Sequence, residues 1–123
     1  TGDYGEAQAA AYLRKNGVRI RARNVQFEGR EELDLVAEDR KTRRFIEVKT
    51  RRQLPDTETR YGAPMDAVTK EKRRHLLDAA RRYMVAHPTR KAIQFDIVEV
   101  FLDPAGEAPR VLAVRHHPDA FRT

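Results

Sequence analysis

Residues 32 to 49 contain two alternating runs that can pair in only one register. Glu32-Leu33-Asp34-Leu35-Val36-Ala37 and Arg44-Phe45-Ile46-Glu47-Val48-Lys49-Thr50 flank Asp39-Arg40-Lys41-Thr42, a polar segment suited to a hairpin turn. A hairpin centred between Arg40 and Lys41 sets Leu33 against Val48 and Leu35 against Ile46, with Ala37 nearby, as an apolar face. On the other face it sets Glu32 against Lys49, Asp34 against Glu47 and Val36 against Phe45. Slipping by one residue would oppose apolar side chains with charged ones, so the pattern selects its own register.

The charged face is energetically odd. Opposed Cβ atoms in an antiparallel pair lie roughly 4.5–5.5 Å apart, and like charges there are destabilising. Asp34 facing Glu47 needs a proton or a cation between the two carboxyls. Lys49 projects from the same face about 6.6 Å further along the strand. Two carboxylates and a lysine suit a hydrolytic site built on a hard metal. Asp34, Glu47 and the Val48 carbonyl would ligate Mg²⁺ or Mn²⁺, and Lys49 would orient water or neutralise a phosphate. A solvated strand pair is the plainer reading, but it would avoid facing like charges. Glu32 against Lys49 reads as a surface ion pair of small consequence.

The rest of the chain reads as α/β, with element order αβββαββ. Residues 3–16 form a helix, with Asp3 as its cap, Glu6 in the capping-box position and Gly17 as its stop. Ala7, Ala10, Ala11, Tyr12 and Leu13 supply its narrow apolar face. Val18, Ile20 and Ala22 alternate with arginines as a first strand. Residues 50–63, with Pro55 and Gly62, read as a mobile loop weakly ordered without DNA. A second helix starts near Asp66 or Thr69 and ends at Ala86, before Pro88, with Val68, Leu76, Ala79, Ala80, Tyr83 and Met84 near helical spacing. Residues 93–102 are the clearest strand, and 111–114 a last one. Phe45, Phe95 and Tyr83 read as core, although Phe45 shares the charged face. With 123 residues, 40% of them hydrophobic, no repeat and no linker, residues 1–123 are expected to form one domain.

Charge narrows the class of partner. The formal net charge is +6, yet residues 40–91 alone carry +10 and the remainder −4. A basic middle on a small domain suits a polyanion, because each neutralised phosphate releases condensed counterions. Lys70, Lys72, Arg73, Arg74, Arg81 and Arg82 give the second helix a cationic face. Arg51 and Arg52 follow the candidate active strand, so together these residues could track a phosphate backbone. The absence of cysteine excludes disulfides, thiolate zinc sites and cysteine nucleophiles. The apolar runs are too short to span a membrane. Thr1 in place of methionine suggests an upstream segment, and with no signal-peptide core in view a cytoplasmic protein is the expectation. His75, His87, His116 and His117 show no zinc-ligand spacing and read as surface residues or phosphate contacts.

The motifs also resemble a known family. Asp34 followed by Glu47-Val48-Lys49 looks like the signature of the PD-(D/E)xK nuclease superfamily. More closely, Gly5-Glu6 with Ala9-Ala10 and Tyr12-Leu13, Glu32 to Val36, Phe45 to Arg51, Phe95-Asp96-Ile97-Val98 and His116 to Phe121 are similar to the bacterial YraN family. The resemblance implies a restriction-endonuclease-like core, with a mixed central sheet flanked by helices and similarity to Holliday-junction resolvases. It implies Asp34 and Glu47 as metal ligands, Lys49 as the catalytic lysine, Glu6 as an accessory acid and Lys72 as a DNA contact. A homodimer would suit a two-fold junction. Glu31 stands where the family usually has glycine, and this carboxylate is expected to alter the strand entry or repel DNA. The expected activity is Mg²⁺-dependent hydrolysis of DNA. The alternatives are a non-catalytic nucleic-acid-binding module with the nuclease fold and an adaptor for a protein partner.

Overall fold

The computed structural model describes residues 2–29, 31–55 and 68–122 of the chain. The elements are α1 (Gly2–Lys15), β1 (Arg19–Gln26), β2 (Glu32–Glu38), β3 (Thr42–Arg52), α2 (Lys70–Ala86), β4 (Ala92–Leu102) and β5 (Val111–Phe121). The five strands form one mixed sheet in the order β1-β2-β3-β4-β5. Only β3 and β4 run parallel, in register from Thr42↔Ala92 to Arg52↔Leu102. A parallel pair needs a crossover, and α2 supplies it. Residues 95–102 of β4 are all buried, as expected of a central strand covered on both faces.

Each helix covers one face of the sheet. Ala9, Ala10 and Leu13 of α1 pack on Leu35, Ala37, Ile46, Val98 and Val100. Leu76, Ala79, Ala80 and Tyr83 of α2 pack on Val36, Phe45, Phe95 and Ile97. The buried stripe of α1 is therefore Ala9-Ala10-Leu13, and Ala11 is exposed. Phe45 lies in the core, edge-on to Tyr83 and stacked with Phe95. Gly17, at φ +82°, ends α1, and Val18 donates back to the Leu13 carbonyl at 2.9 Å. Asp3 lies inside the first turn of α1, not at its cap. Thr69 caps α2 by accepting from the Lys72 N–H at 3.1 Å.

Two loop-like stretches are longer strands than their sequence suggests. Residues 50–52 belong to β3, so the expected loop begins later, and its positions 56–63 lie outside the described residues. So does Asp66. Strand β5 continues past Val114 to Phe121 because two buried carboxylates of β4 grip its polar half. Asp96 is fully buried. It accepts from His116 Nε2 at 2.7 Å, Arg44 Nη1 at 3.1 Å and the Asp119 N–H at 2.9 Å. The last contact holds Asp119 at φ 52°, a backbone state uncommon outside glycine. The second carboxylate is Glu99, whose Oε1 lies 2.7 Å from His117 Nε2, so His116 and His117 are clasped side chains of the sheet and not loose surface groups.

Candidate active site at the β2–β3 gap

The hairpin has the expected register only as far as its charged face. Glu38↔Arg43, Ala37↔Arg44, Val36↔Phe45 and Leu35↔Ile46 pair as predicted, and the register ends there. Asp34 and Glu47 are therefore not ladder partners, because the strands part at this point. Leu33 lies in the cluster under α2 while Leu35 lies under α1, so β2 changes face at Asp34. Asn24, between the β1 residues that pair with Leu35 and Leu33, sits at φ 50°. An irregularity on both strands re-aims the intervening side chain.

Asp34 fills the gap in the ladder. The Val48 N–H donates to Asp34 Oδ2 at 2.9 Å, replacing the main-chain acceptor that β2 no longer offers. The N–H and C=O of one strand residue point the same way, so the Val48 carbonyl faces this gap as well. Glu47 is 4% exposed and shares a hydrogen bond with the Asp34 carboxyl. Burial, then that hydrogen bond and the Asp34 charge, push the Glu47 carboxyl up to about 8, against the pull of Lys72 and Lys49. The Glu47 carboxyl therefore holds its proton well above the usual carboxylate range. Lys49 Nζ lies 3.8 Å and Lys72 Nζ 3.7 Å from Glu47 Oε2. Lys72 also reaches Glu32 Oε1 at 3.5 Å, so Glu32 takes its cation from α2 and not from Lys49.

Helix α1 brings a third acid. Burial raises the Glu6 carboxyl above its usual range, and the charges of Asp34, Asp3 and Glu32 add to this while Arg23 opposes it. Its neighbour Gly5 makes the approach possible. A Cβ at Gly5 would fall 1.9 Å from Thr50 Oγ1 and 3.2 Å from Thr50 Cβ, so a side chain there forces Thr50 or the α1–β3 packing to shift. Among the described residues, no three His, Cys, Asp or Glu side chains form a metal-holding group on their own. The oxygens facing the gap are two carboxyls and one main-chain carbonyl.

Residues 5–100 match the family described as "Uncharacterised protein family UPF0102". The chain belongs to this family. It is 36% identical over 122 residues to a UPF0102 protein of Chlorobium limicola, covering 98% of this chain and 90% of that one. It is 42% identical over 106 residues to a UPF0102 protein of Symbiobacterium thermophilum, covering 85% of each, and 38% identical over 122 residues to one of Trichlorobacter lovleyi, covering 98% and 88%. The UPF0102 match spans Glu6, Asp34, Glu47, Lys49, Lys72, Asp96 and Glu99, and stops before His116 and His117.

In this UPF0102 chain the basic residues separate into distinct groups. Lys49 and Lys72 point into the acid pair. Lys70 and Arg74 are exposed on α2, and Arg73 is half-buried with its Nε unpartnered. Strand alternation divides Arg51 from Arg52. Arg51 shares the face of Lys49, and its Nε donates to Glu99 at 2.8 Å. Arg52 lies on the other face, 3.5 Å and 3.4 Å from the carbonyls of Gly106 and Glu107, and takes no part in the site. Glu31 turns to Arg82 at 3.6 Å, ten residues along α2 from Lys72, which is about 15 Å of helix. The unexpected carboxylate therefore stands apart from the acid pair. The reach of Lys72 to Glu47 and the role of Glu99 had no sequence signal beyond residue type.

Proposed function

We propose that this chain is a metal-dependent nuclease that hydrolyses phosphodiester bonds in DNA. One observation carries the reading: two carboxyls meet in a break of the sheet, with a main-chain carbonyl and two lysines around them. A structural pair would not need that break. The donor set fits a hard divalent cation, which accepts one or two carboxylates and keeps several waters. Asp34, Glu47 and the Val48 carbonyl would hold Mg²⁺ or Mn²⁺. The ion supplies Lewis-acid stabilisation of the phosphate and lowers the pKa of a bound water.

The side chains do the rest. Lys49 would neutralise charge developing on the phosphoryl oxygens, and Lys72 would anchor the phosphate from the α2 side. Glu6, with its raised affinity for a proton, is placed to take or return one at the Asp34 end of the gap. No described helix is long and apolar enough to cross a membrane, and the excess of positive charge suits nucleic acid. Branched DNA is the first substrate to try and a homodimer would match its two-fold symmetry, both by resemblance to resolvases, and the cytoplasm is the expected compartment.

A non-catalytic DNA-binding role is the second reading, and Lys72 favours it. Two ammonium groups beside Glu47 supply positive charge without a metal. Cleavage of four-way and linear DNA separates the readings. The nuclease reading expects Mg²⁺-dependent cutting, loss in chelator, and a roughly 10³-fold fall for Asp34→Asn, the rate equivalent of about 4 kcal/mol. Salt-sensitive binding without cutting, unchanged in Asp34→Asn, would establish the second reading instead.

A further inference from the structure

Strand β1 carries one residue more than its partner, and that residue is an arginine. Arg19 aligns with Glu38 and Ile20 with Ala37, but Ala22 aligns with Val36, which leaves Arg21 as the extra residue. Ile20 therefore packs under α1 and Ala22 under α2, where plain alternation would put both on one face. A bulge re-aims side chains, and this one brings Arg21 Nε to 3.4 Å from Glu38 Oε1. The Arg21 side chain stays 46% exposed and makes no hydrogen bond among the described residues.

Glu38 gathers more cations than its charge requires. Arg43 Nε donates to its Oε2 at 2.8 Å and Lys91 Nζ to its Oε1 at 3.3 Å. Burial pushes the Glu38 carboxyl up, but the hydrogen bonds and charges of Arg43 and Lys91 outweigh it and hold it below its usual range. Neighbouring Asp39 is already taken by Arg44 at 3.1 Å. Three cations around one carboxylate leave two positive charges unbalanced. Arg43 is 5% exposed, with Nη1 donating to the His87 carbonyl and its guanidinium 5.2 Å from the Tyr83 ring centroid. Its Nη2 takes no acceptor among the described residues, a costly state for a donor so far from bulk water.

These cations edge a groove between β1 and the end of α2. Arg21, Tyr83, Ala86 and His87 line both of its halves. The wider half, about 520 Å³, has Arg43 in its wall and is large enough for a small ligand. The narrower half, about 240 Å³, is walled by Val25 and Phe27. His87 is exposed, its ring lying against Tyr83 with centroids 4.5 Å apart. The negative end of a helix disfavours anions, and Arg43 offsets that of α2 by binding its capping carbonyl.

We propose that this groove binds a nucleotide, with its phosphate on Arg21 and Arg43 and its base between His87 and the Val25–Phe27 wall. Guanidinium forks match phosphate geometry, and aromatic faces accept any base. The groove is separate from the acid pair, since Arg43 lies four residues, about 13 Å, along β3 from Glu47. It does not depend on the nuclease reading. A free monophosphate and an unpaired residue of a DNA strand offer the same chemistry.

Calorimetry in chelator, with inorganic phosphate, thymidine 5′-monophosphate and a short oligothymidylate as ligands, tests the groove and tells the two sources apart. Arg21→Glu is expected to weaken nucleotide binding roughly tenfold or more, and Arg21→Lys to keep most of it. His87→Ala should weaken the nucleotide roughly tenfold and leave inorganic phosphate unchanged. Mn²⁺ affinity should hold in all three variants. Melting curves establish that each is folded, and Arg21→Gln replaces Arg21→Glu if that variant is not. Arg21-dependent binding of the monophosphate makes the ligand a free nucleotide, and of the oligothymidylate alone an unpaired strand residue. Folded Arg21 variants that bind both ligands as wild type does, or a wild type that binds neither, would overturn the groove and leave the nuclease reading standing. A wild type that binds nucleotide through Arg21 but never Mn²⁺ would overturn the nuclease reading alone.

Discussion

Glu47→Gln is expected to lose cleavage and gain stability in the same molecule. The Glu47 carboxyl keeps its proton up to about pH 8 in the folded chain, against 4.5 for an ordinary glutamate. Between those values the folded state binds a proton that the unfolded state does not. Its contribution is therefore fully present below about pH 4.5 and is lost as pH rises through 8. The loss amounts to roughly 3–5 kcal/mol, a large part of the 5–15 kcal/mol that holds a domain together. Glutamine cannot ionise, and its amide N–H can donate to Asp34 as the shared proton does. Urea denaturation at pH 5 and pH 9 without metal should give a falling stability for wild type and a nearly level one for Glu47→Gln. The variant should be the more stable protein at pH 9, and under the nuclease reading its cleavage should fall by roughly 10³-fold or more. Equal pH dependence in the two proteins would mean that Glu47 is not the buried proton site.

Asp96→Ala is expected to be the most damaging single substitution for the fold. Asp96 is fully buried and serves three donors at once, from Arg44, His116 and the Asp119 main chain. Removing it leaves the Arg44 guanidinium in a half-buried place without that carboxylate and releases the left-handed turn at Asp119. Breaking a buried pair from one side costs about 3–5 kcal/mol. For a chain of this length that corresponds to a fall of roughly 10–20 °C in Tm. Asp96→Asn keeps an acceptor for the Asp119 N–H and should recover part of the loss. Circular dichroism melting reads both effects, and a fall of under about 5 °C for Asp96→Ala would refute the clamp. The same clamp explains why Phe95-Asp96-Ile97-Val98 and the His116 to Phe121 stretch stand out together. They are two sides of one joint between β4 and β5.

The fold was legible wherever burial imposed a repeat. The β2–β3 register could be read because alternation allows only one pairing, and it holds for every pair up to Leu35↔Ile46. It fails at the next position because the break depends on groups distant in the chain: Asn24 on β1 and the Val48 N–H that Asp34 captures. A periodic pattern carries no record of either. The far half of β5 was hidden for a related reason. Arg115-His116-His117-Pro118 shows no alternation, and its pairing depends on carboxylates 20 and 18 residues earlier. On α1, Ala9 and Ala11 look alike to any hydrophobic count, and only the pitch of the helix against the sheet decides between them. At the site, residue type pointed to Asp34, Glu47 and Lys49. The partners of Glu47 became visible only once α2 was placed, since Lys72 lies 25 positions from it in sequence.

The acid pair exchanging its proton for a divalent ion is the central claim, and calorimetry tests it most directly. Mn²⁺ is titrated into wild type and Glu47→Gln at pH 7 in two buffers of different ionisation enthalpy. The account predicts one ion bound per wild-type chain with about one proton released, and neither signal in Glu47→Gln. Binding without proton release, or binding that survives the substitution unchanged, would contradict it.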